Sequence, residues 1–309
     1  MRMHKPLKIL ICGTGWSGSG AVIDLLREYK NISIIPGEFD DFRRPGLVSD
    51  MLYNFNTDLY LKQNNNLINA SYRLKKMRKV LNKKNFFNSL SFITKLKPKY
   101  NLFQLLYLLR NYYYEKKLLL KLSSDLHKSN SLIKTVFFVS SWINKIADFY
   151  GKKAVVFDQI FDLDDLKFLP FVDDVFQSYK IIFVYRDLNH QISNIMKDVP
   201  WYLDYTVKRF NATTNNPFKF MCKTIKNREK NMHYIQKKFT TEKVLLIKFD
   251  DLIENYPQIK TKIEQFLGNI TLNHFAPLSW FNPEVSRTNT LMLKNILTIE
   301  QIEYIQNLK

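Results

Sequence analysis

At 309 residues, with 46% hydrophobic and 15% aromatic content, the chain can bury one large α/β core or two small ones and reads as globular. Cys12 and Cys222 are its two cysteines, too few for a disulfide framework or a cysteine metal cluster, and they fit buried thiols in a reducing cytoplasm. No charged-then-apolar leader precedes the first strand and no apolar run approaches the ~20 residues of a membrane span, so a cytoplasmic location is expected.

Residues 8–20, KILICGTGWSGSG, carry an apolar strand-like stretch into a glycine- and serine-rich turn, and AVIDLLREY continues as an amphipathic helix. A helix start leaves its first N–H groups unpaired at the positive end of the helix dipole, so this order builds an anion site. Gly13, Gly15, Gly18 and Gly20 allow close backbone approach, and Ser17 and Ser19 add hydroxyl donors. A nucleotide phosphate is the first expectation; a plain structural turn is the bland alternative. The Gly13-to-Gly18 spacing fits the Walker pattern, but Ser19 stands where that pattern has lysine, which removes the main phosphate clamp of ATP or GTP hydrolysis. Glu38, in IIPGEFDDF, sits near the place of the ribose-binding acid of a dinucleotide fold, so an NAD reading stays open at this point of the chain.

Charge is concentrated in the next segment. Between Lys62 and Lys134 seventeen Lys and Arg face only Glu115 and Asp125, a net of +15 in a chain of +19. YRLKKMRKVL and NLFQLLYLLRNYYYEKKLLLKL mix apolar and basic positions at helical spacing, with a break at Pro98. Residues 52–135 therefore read as a basic helical insertion within a single domain spanning 1–309. Solvated helix faces are the ordinary explanation of such stripes. An excess this large favours an anionic partner, an acidic glycan or an anionic membrane surface at the inner face, with nucleic acid not expected. Tyr112 to Tyr114, Phe86 and Phe87 are candidates for stacking on sugars, or buried aromatics.

After the insertion AVVF (154–157), KIIFVY (180–185) and KVLLIKF (243–249) are short, apolar and rich in β-branched residues, as central parallel strands are. With KILIC and ISII they predict five strands in a three-layer α/β sheet whose ligand crevice lies at the strand C-termini. Arg186 leaves one such end, and Ser193 and Asn194 follow on a helix beginning near Asn189. A guanidinium fork with a hydroxyl or amide nearby suits a phosphate.

Here the chain resembles the PAPS-dependent sulfotransferases, in which a strand ends in Arg-Asp-Pro and a Ser eight positions after the Arg completes the 3′-phosphate site. This chain has Arg186-Asp187-Leu188, with Asn194 at position eight and Ser193 one earlier. KVLLIKFDDLIENYPQIKTKIEQFLG is similar to the family's late strand and following helix; Asp250 or Asp251 is expected to cap a helix beginning near Leu252. NPEVSRTNT lies where the family brings a basic loop across the nucleotide, which implies phosphate contacts for Ser286 and Arg287. The P-loop-like turn, Gly15, Trp16, Ser17, Gly18, Ser19 and Gly20, would take the 5′-phosphosulfate. Trp16 occupies the position of the lysine that neutralises the leaving oxygen in sugar sulfotransferases, so that charge must be met by the turn's donors or by a cation of the insertion.

The resemblance implies sulfuryl transfer from PAPS to a hydroxyl of a saccharide or glycoconjugate, with PAP as product and no metal. In polysaccharide-modifying members the base is often a Glu after the second strand, which implies Glu38 here; a salt bridge to Arg43 or Arg44 is its ordinary alternative. Asp158, closing AVVFDQ, is the second candidate base. None of the five histidines has a spacing that assigns it chemistry. The competing classes are a nucleotide-dependent kinase or phosphotransferase and a polyanion- or membrane-binding module.

Overall fold

In the computed structural model the described residues are 5–44, 47–55, 67, 71–82, 85, 101–291 and 296–308. Their strands β1 (Leu7–Gly13), β2 (Ile32–Glu38), β3 (Ala154–Asp158), β4 (Tyr179–Tyr185) and β5 (Val244–Lys248) form one parallel sheet in the order β2-β3-β1-β4-β5. β1 lies at its centre. Ile9 and Ile11 of β1 enter one core cluster while Leu10 and Cys12 enter the other. Both faces are thus covered, which is why this strand is apolar at successive positions instead of alternating.

Helix α1 (Ser19–Arg27) covers the first face with Val22, Ile23, Leu25 and Leu26. Between β2 and β3 lie α2 (Val48–Tyr53), α3 (Tyr72–Val80), α4 (Leu102–His127) and α5 (Leu132–Tyr150), the last packing Val139, Trp142, Ile143 and Ile146 against the second face. After β3 come α6 (Val172–Phe176), then α7 (Leu188–Asp198), α8 (Trp201–Arg209) and α9 (Pro217–Lys238) between β4 and β5. The chain ends through α10 (Phe249–Glu254), α11 (Tyr256–Leu267), α12 (Pro283–Leu291) and α13 (Ile299–Gln306). The result is the three-layer α/β architecture that the strand pattern predicts. Cys12 and Cys222 are both buried, and burial pushes each thiol up to about 12.

Within the basic segment one arginine belongs to the interior. Arg73 of α3 donates to Glu115 of α4 at 3.0 Å through Nε and to the Pro36 carbonyl at 2.9 Å, and its guanidinium lies 4.8 Å from the Phe39 ring centroid. Tyr150 Oη closes the network by donating to Glu115 at 2.5 Å. A buried charge is tolerable only when paired and hydrogen-bonded in this way, so Arg73 ties the segment to the end of β2. Lys75, Lys76, Arg78 and Lys79 remain exposed. Tyr114 is partly buried with its ring stacked on Phe149 at 3.8 Å, whereas Tyr113 is exposed. Phe86, Phe87 and Pro98 lie outside the described residues.

Two local expectations are corrected. The helix after β5 starts at Phe249, three residues before Leu252, so Asp250 and Asp251 fall in its first turn and neither caps it. From Pro283 onward the segment NPEVSRTNT is helix α12, not a loop, because Pro283 opens a helical turn and Asn282 Oδ1 accepts the Glu284 N–H.

Candidate active site

The turn Gly13–Ser19 leaves the C-terminal end of the central strand and starts α1, with Gly18 at the helix entrance in a left-handed conformation (φ 89°). A side chain at Gly18 would collide with the Phe249 ring, so here glycine is required by both backbone and space. Gly20 has open space around it, and the amides of Ser19 and Gly20, which open α1, lack intrahelical acceptors there. Gln159, just past β3, donates to Ser19 Oγ at 3.1 Å, which leaves the Ser19 O–H directed to another acceptor. Ser17 is buried, and its Oγ has no hydrogen-bond partner among the described residues.

The back of the turn is braced from the helices. Gln191 of α7 donates to Thr14 Oγ1 at 3.0 Å and to the Gly15 carbonyl. Arg228 of α9 donates to the Thr14 carbonyl at 2.9 Å and grips Asp164 through Nε (2.7 Å) and Nη2 (2.8 Å). Burial alone would disfavour the Arg228 charge, but Asp164 more than offsets it and the pKa moves up. These contacts tie the Thr14 and Gly15 carbonyls to α9 and α7.

Next to the turn, at the end of β4, Arg186 is buried and donates to Asn194 Oδ1 at 3.1 Å. Ser193 is also buried, one position earlier on α7. The Arg186 guanidinium lies 4.9 Å from the centroid of Phe249, the same ring that covers Gly18. Phe249 thus joins the Arg186 end of the site to the turn. Asp250 accepts the Asp187 N–H at 2.7 Å and lies 2.7 Å from His190 Nδ1. Burial opposes the Asp250 charge, but these hydrogen bonds prevail and lower its pKa, while His190 is raised by the same contact. Burial lowers the Arg186 pKa against the pull of Asp250 and Asp187.

On the other side of β1 a cleft of about 790 Å³ is lined by Gly15, Trp16, Ser19 and Gly20 together with Glu38, Arg43, Arg44, Asp158 and Gln159. Tyr72 and Lys76 of α3 and Trp201, Tyr202, Tyr205 and Arg209 of α8 complete it. Its size suits a small organic ligand. Glu38 and Asp158 are register partners at the ends of β2 and β3. Glu38 is 40% exposed at its side chain and pairs with Arg43 at 2.7 Å; Arg44 pairs instead with the buried Asp40. Asp158 is half-buried with Oδ1 lacking a hydrogen-bond partner among the described residues. Burial, and then the Glu38 charge, push it up to about 7.

Ser286 and Arg287 lie on α12, where Arg287 donates to Glu284 at 2.7 Å and to the Ile253 carbonyl of α10 at 3.0 Å; neither lines this cleft. Sequence reading missed the α8 aromatics altogether, although aromatic residues at 201, 202 and 205 on a helix after Pro200 share one side at i, i+1, i+4 spacing. Of the basic segment's lysines, Lys76 lines the cleft.

No family model matches the chain, and no curated protein matches it. Solved structures of similar overall form include the sulfotransferase domain from the Synechococcus PCC 7002 olefin synthase, at TM-score 0.47 and 12% identity, covering 99% of this chain and 96% of that one. The sulfotransferase domain from the curacin biosynthetic pathway matches at TM-score 0.48 and 16% identity over 99% of this chain and 98% of that one. A sulfotransferase from Mycobacterium avium matches at TM-score 0.41 and 11% identity over 99% and 76%.

Proposed function

We propose that this chain is a sulfotransferase that moves a sulfuryl group from PAPS to a hydroxyl of a saccharide acceptor and releases PAP. The observation that carries the reading is the continuity of the carboxyl edge. Donors of the turn, then Phe249, then Arg186 with Asn194 form one run on one side of β1, and a cleft ending on two carboxylates opens on the other. Two groups of donors joined in this way suit a nucleotide with separate 5′ and 3′ anionic ends. The Ser17 hydroxyl, without a partner among the described residues, and the open Cβ position of Gly20 fit an anion seated on the turn.

When bound, PAPS supplies an activated sulfuryl group. Ser19, its hydroxyl oriented by Gln159, and the first amides of α1 hold the 5′ end, while Arg186 and Asn194 hold the 3′ phosphate. Asp158 accepts the acceptor's hydroxyl proton as that oxygen forms its bond to sulfur and the bridging sulfur–oxygen bond to phosphate breaks. The electron pair leaves on the phosphate, where the α1 dipole and the turn's donors meet the new charge without a lysine at position 16. Burial, and then the charge of Glu38 beside it, keep the Asp158 pKa up in the range that a base working near neutrality needs.

Isothermal titration with adenosine 3′,5′-bisphosphate, ATP and NAD tests the reading. The bisphosphate is expected to bind most tightly, and a preference for ATP would move the chain to the kinase class.

A second role for the basic segment, contact with an anionic membrane surface, is favoured by α4. Phe103, Tyr107, Tyr113 and Leu120 are exposed on it along with Lys117 and Lys121, the combination of an interfacial helix. Among the described residues no helix is long and apolar enough to cross a membrane. Co-sedimentation with anionic but not zwitterionic liposomes is the expected result.

A further inference from the structure

Three aromatic side chains in the cleft are left open to solvent: Trp201 is 60% exposed, Tyr205 44% and Trp16 43%. Single exposed aromatics are ordinary on a protein surface, but these belong to one connected wall. Tyr202 stacks on Tyr205 at 5.8 Å and meets Trp201 edge-on at 5.9 Å and Trp16 edge-on at 6.4 Å. The wall meets the turn closely: Trp16 sits in the left-handed region (φ 57°), and a side chain at Gly15 would crowd the Tyr202 hydroxyl. Large flat faces fixed in place at low entropic cost are what a ligand with an apolar face and polar edges needs.

The same cleft holds four cations, and three have anionic partners. Arg43 is paired with Glu38, Arg44 with Asp40, and Arg209 with Asp162 at 2.8 Å. Lys76 has no salt-bridge partner among the described residues; its ammonium rests 4.9 Å from the centroid of Tyr72. A cation held over a ring face without a carboxylate keeps its charge for an incoming anion. Asp158, the proposed base, lines the same space.

From this juxtaposition we infer that the α8 wall with Trp16 and Lys76 is the acceptor subsite, and that it takes a sugar ring carrying an acidic group, a carboxylate or a phosphate. The inference rests on the sulfotransferase reading for the word acceptor, but not for the ligand chemistry. The aromatic faces cover the C–H face of the ring, and Lys76 receives the acid. A neutral sugar would meet the wall and leave Lys76 unused, so selectivity for acidic sugars falls to Lys76 and affinity common to both falls to the aromatics.

Tryptophan emission of the full chain reads this directly. Of its four tryptophans, Trp16 and Trp201 line the cleft, Trp142 is in the core, and Trp280 faces Arg27. The probes are a hexuronate tetrasaccharide, a glucose 6-phosphate unit and a neutral glucose tetrasaccharide, each titrated with and without saturating adenosine 3′,5′-bisphosphate. The expected result is a saturable change with at least one acidic sugar, tenfold or more tighter than with the neutral one and preserved when the bisphosphate is bound. Lys76→Ala should abolish that preference. Trp201→Ala should weaken every sugar tenfold or more and leave bisphosphate affinity within twofold; Trp201 is mostly exposed, and an unchanged Tm shows that the variant folds.

Three results overturn the inference. If the bisphosphate displaces the sugar, or Trp201→Ala removes bisphosphate binding, the wall holds the adenine instead. If bisphosphate binds and no sugar does, the subsite is wrong while the sulfotransferase reading stands. If Lys76→Ala leaves the acidic preference intact, Lys76 is not the recognition charge. Sugar binding without any bisphosphate binding would support the subsite and sink the sulfotransferase reading, so the two failures are told apart.

Discussion

Glu38 and Asp158 end adjacent parallel strands as register partners, yet one is salt-bridged and partly exposed and the other is half-buried with an oxygen that has no partner among the described residues. Two like charges side by side cannot both ionise freely, and the fold resolves this by giving Arg43 to Glu38 and burial to Asp158. The pair shows that the acid best placed by motif need not be the one best tuned for proton transfer. In Asp158 desolvation and the neighbour's charge favour the proton, and a base must be able to hold one.

The sharpest way to break this comparison is to remove each carboxylate in turn. Asp158→Asn is expected to slow sulfuryl transfer by roughly 10²–10⁴-fold with bisphosphate affinity retained. Should Glu38→Gln carry that loss and Asp158→Asn leave turnover near normal, the two roles are reversed.

Arg186→Ala separates binding from chemistry. Losing a charge-assisted contact costs on the order of 1.5–3 kcal/mol, so adenosine bisphosphate should bind tenfold or more weakly by calorimetry. Transfer at saturating PAPS should change far less than in the acid variant.

A smaller effect sharpens the contrast through pH. With Asp158 at about 7 and active only when ionised, the transfer rate should rise as pH passes through neutrality. Glu38 raises that value, so Glu38→Gln should move the limb to lower pH, by about one unit or less. A pH–rate profile identical to that of the parent would show that Glu38 does not act on Asp158.

The smallest effect is on stability. The folded Asp158 pKa lies above its unfolded value, so the fold binds an extra proton between about 4 and about 7 and loses that advantage as pH rises through 7. Asp158→Asn should therefore raise the Tm more at pH 8 than at pH 5. A gain that is the same at both pH values would mean that Asp158 is not held protonated.

Much of the frame was legible. All five strands lie where short β-branched runs end in a turn, because a strand covered on both faces must be apolar at successive positions. The turn at Gly13–Ser19 and the placement of Arg186 at a strand end are local features, visible from spacing. The contact of Asn194, and not Ser193, with Arg186 depends on the rotation of α7, which begins at Leu188, one residue before its expected start. Asp250 reads as a cap from its neighbours but serves Asp187 and His190 from another element. The segment carrying Arg287 reads as a loop from its composition but is helical, and Glu284, one helical turn earlier, pairs with Arg287 on α12.

From the sequence alone came what depends on neighbours along the chain: the five strands, the helix-entrance anion turn, the arginine at the end of β4, the basic segment, and the short roll of acids that could serve as base. Tertiary structure decided what depends on neighbours across it. It buried Arg73 among the basic residues while leaving Lys76 at the cleft, and it brought α8 beside the glycine turn. It also divided Glu38 from Asp158. Hydrophobic periodicity and turn chemistry are properties of a residue and its immediate neighbours, whereas the charge state of a carboxylate is set by the water and the opposite charges left around it once distant segments have packed.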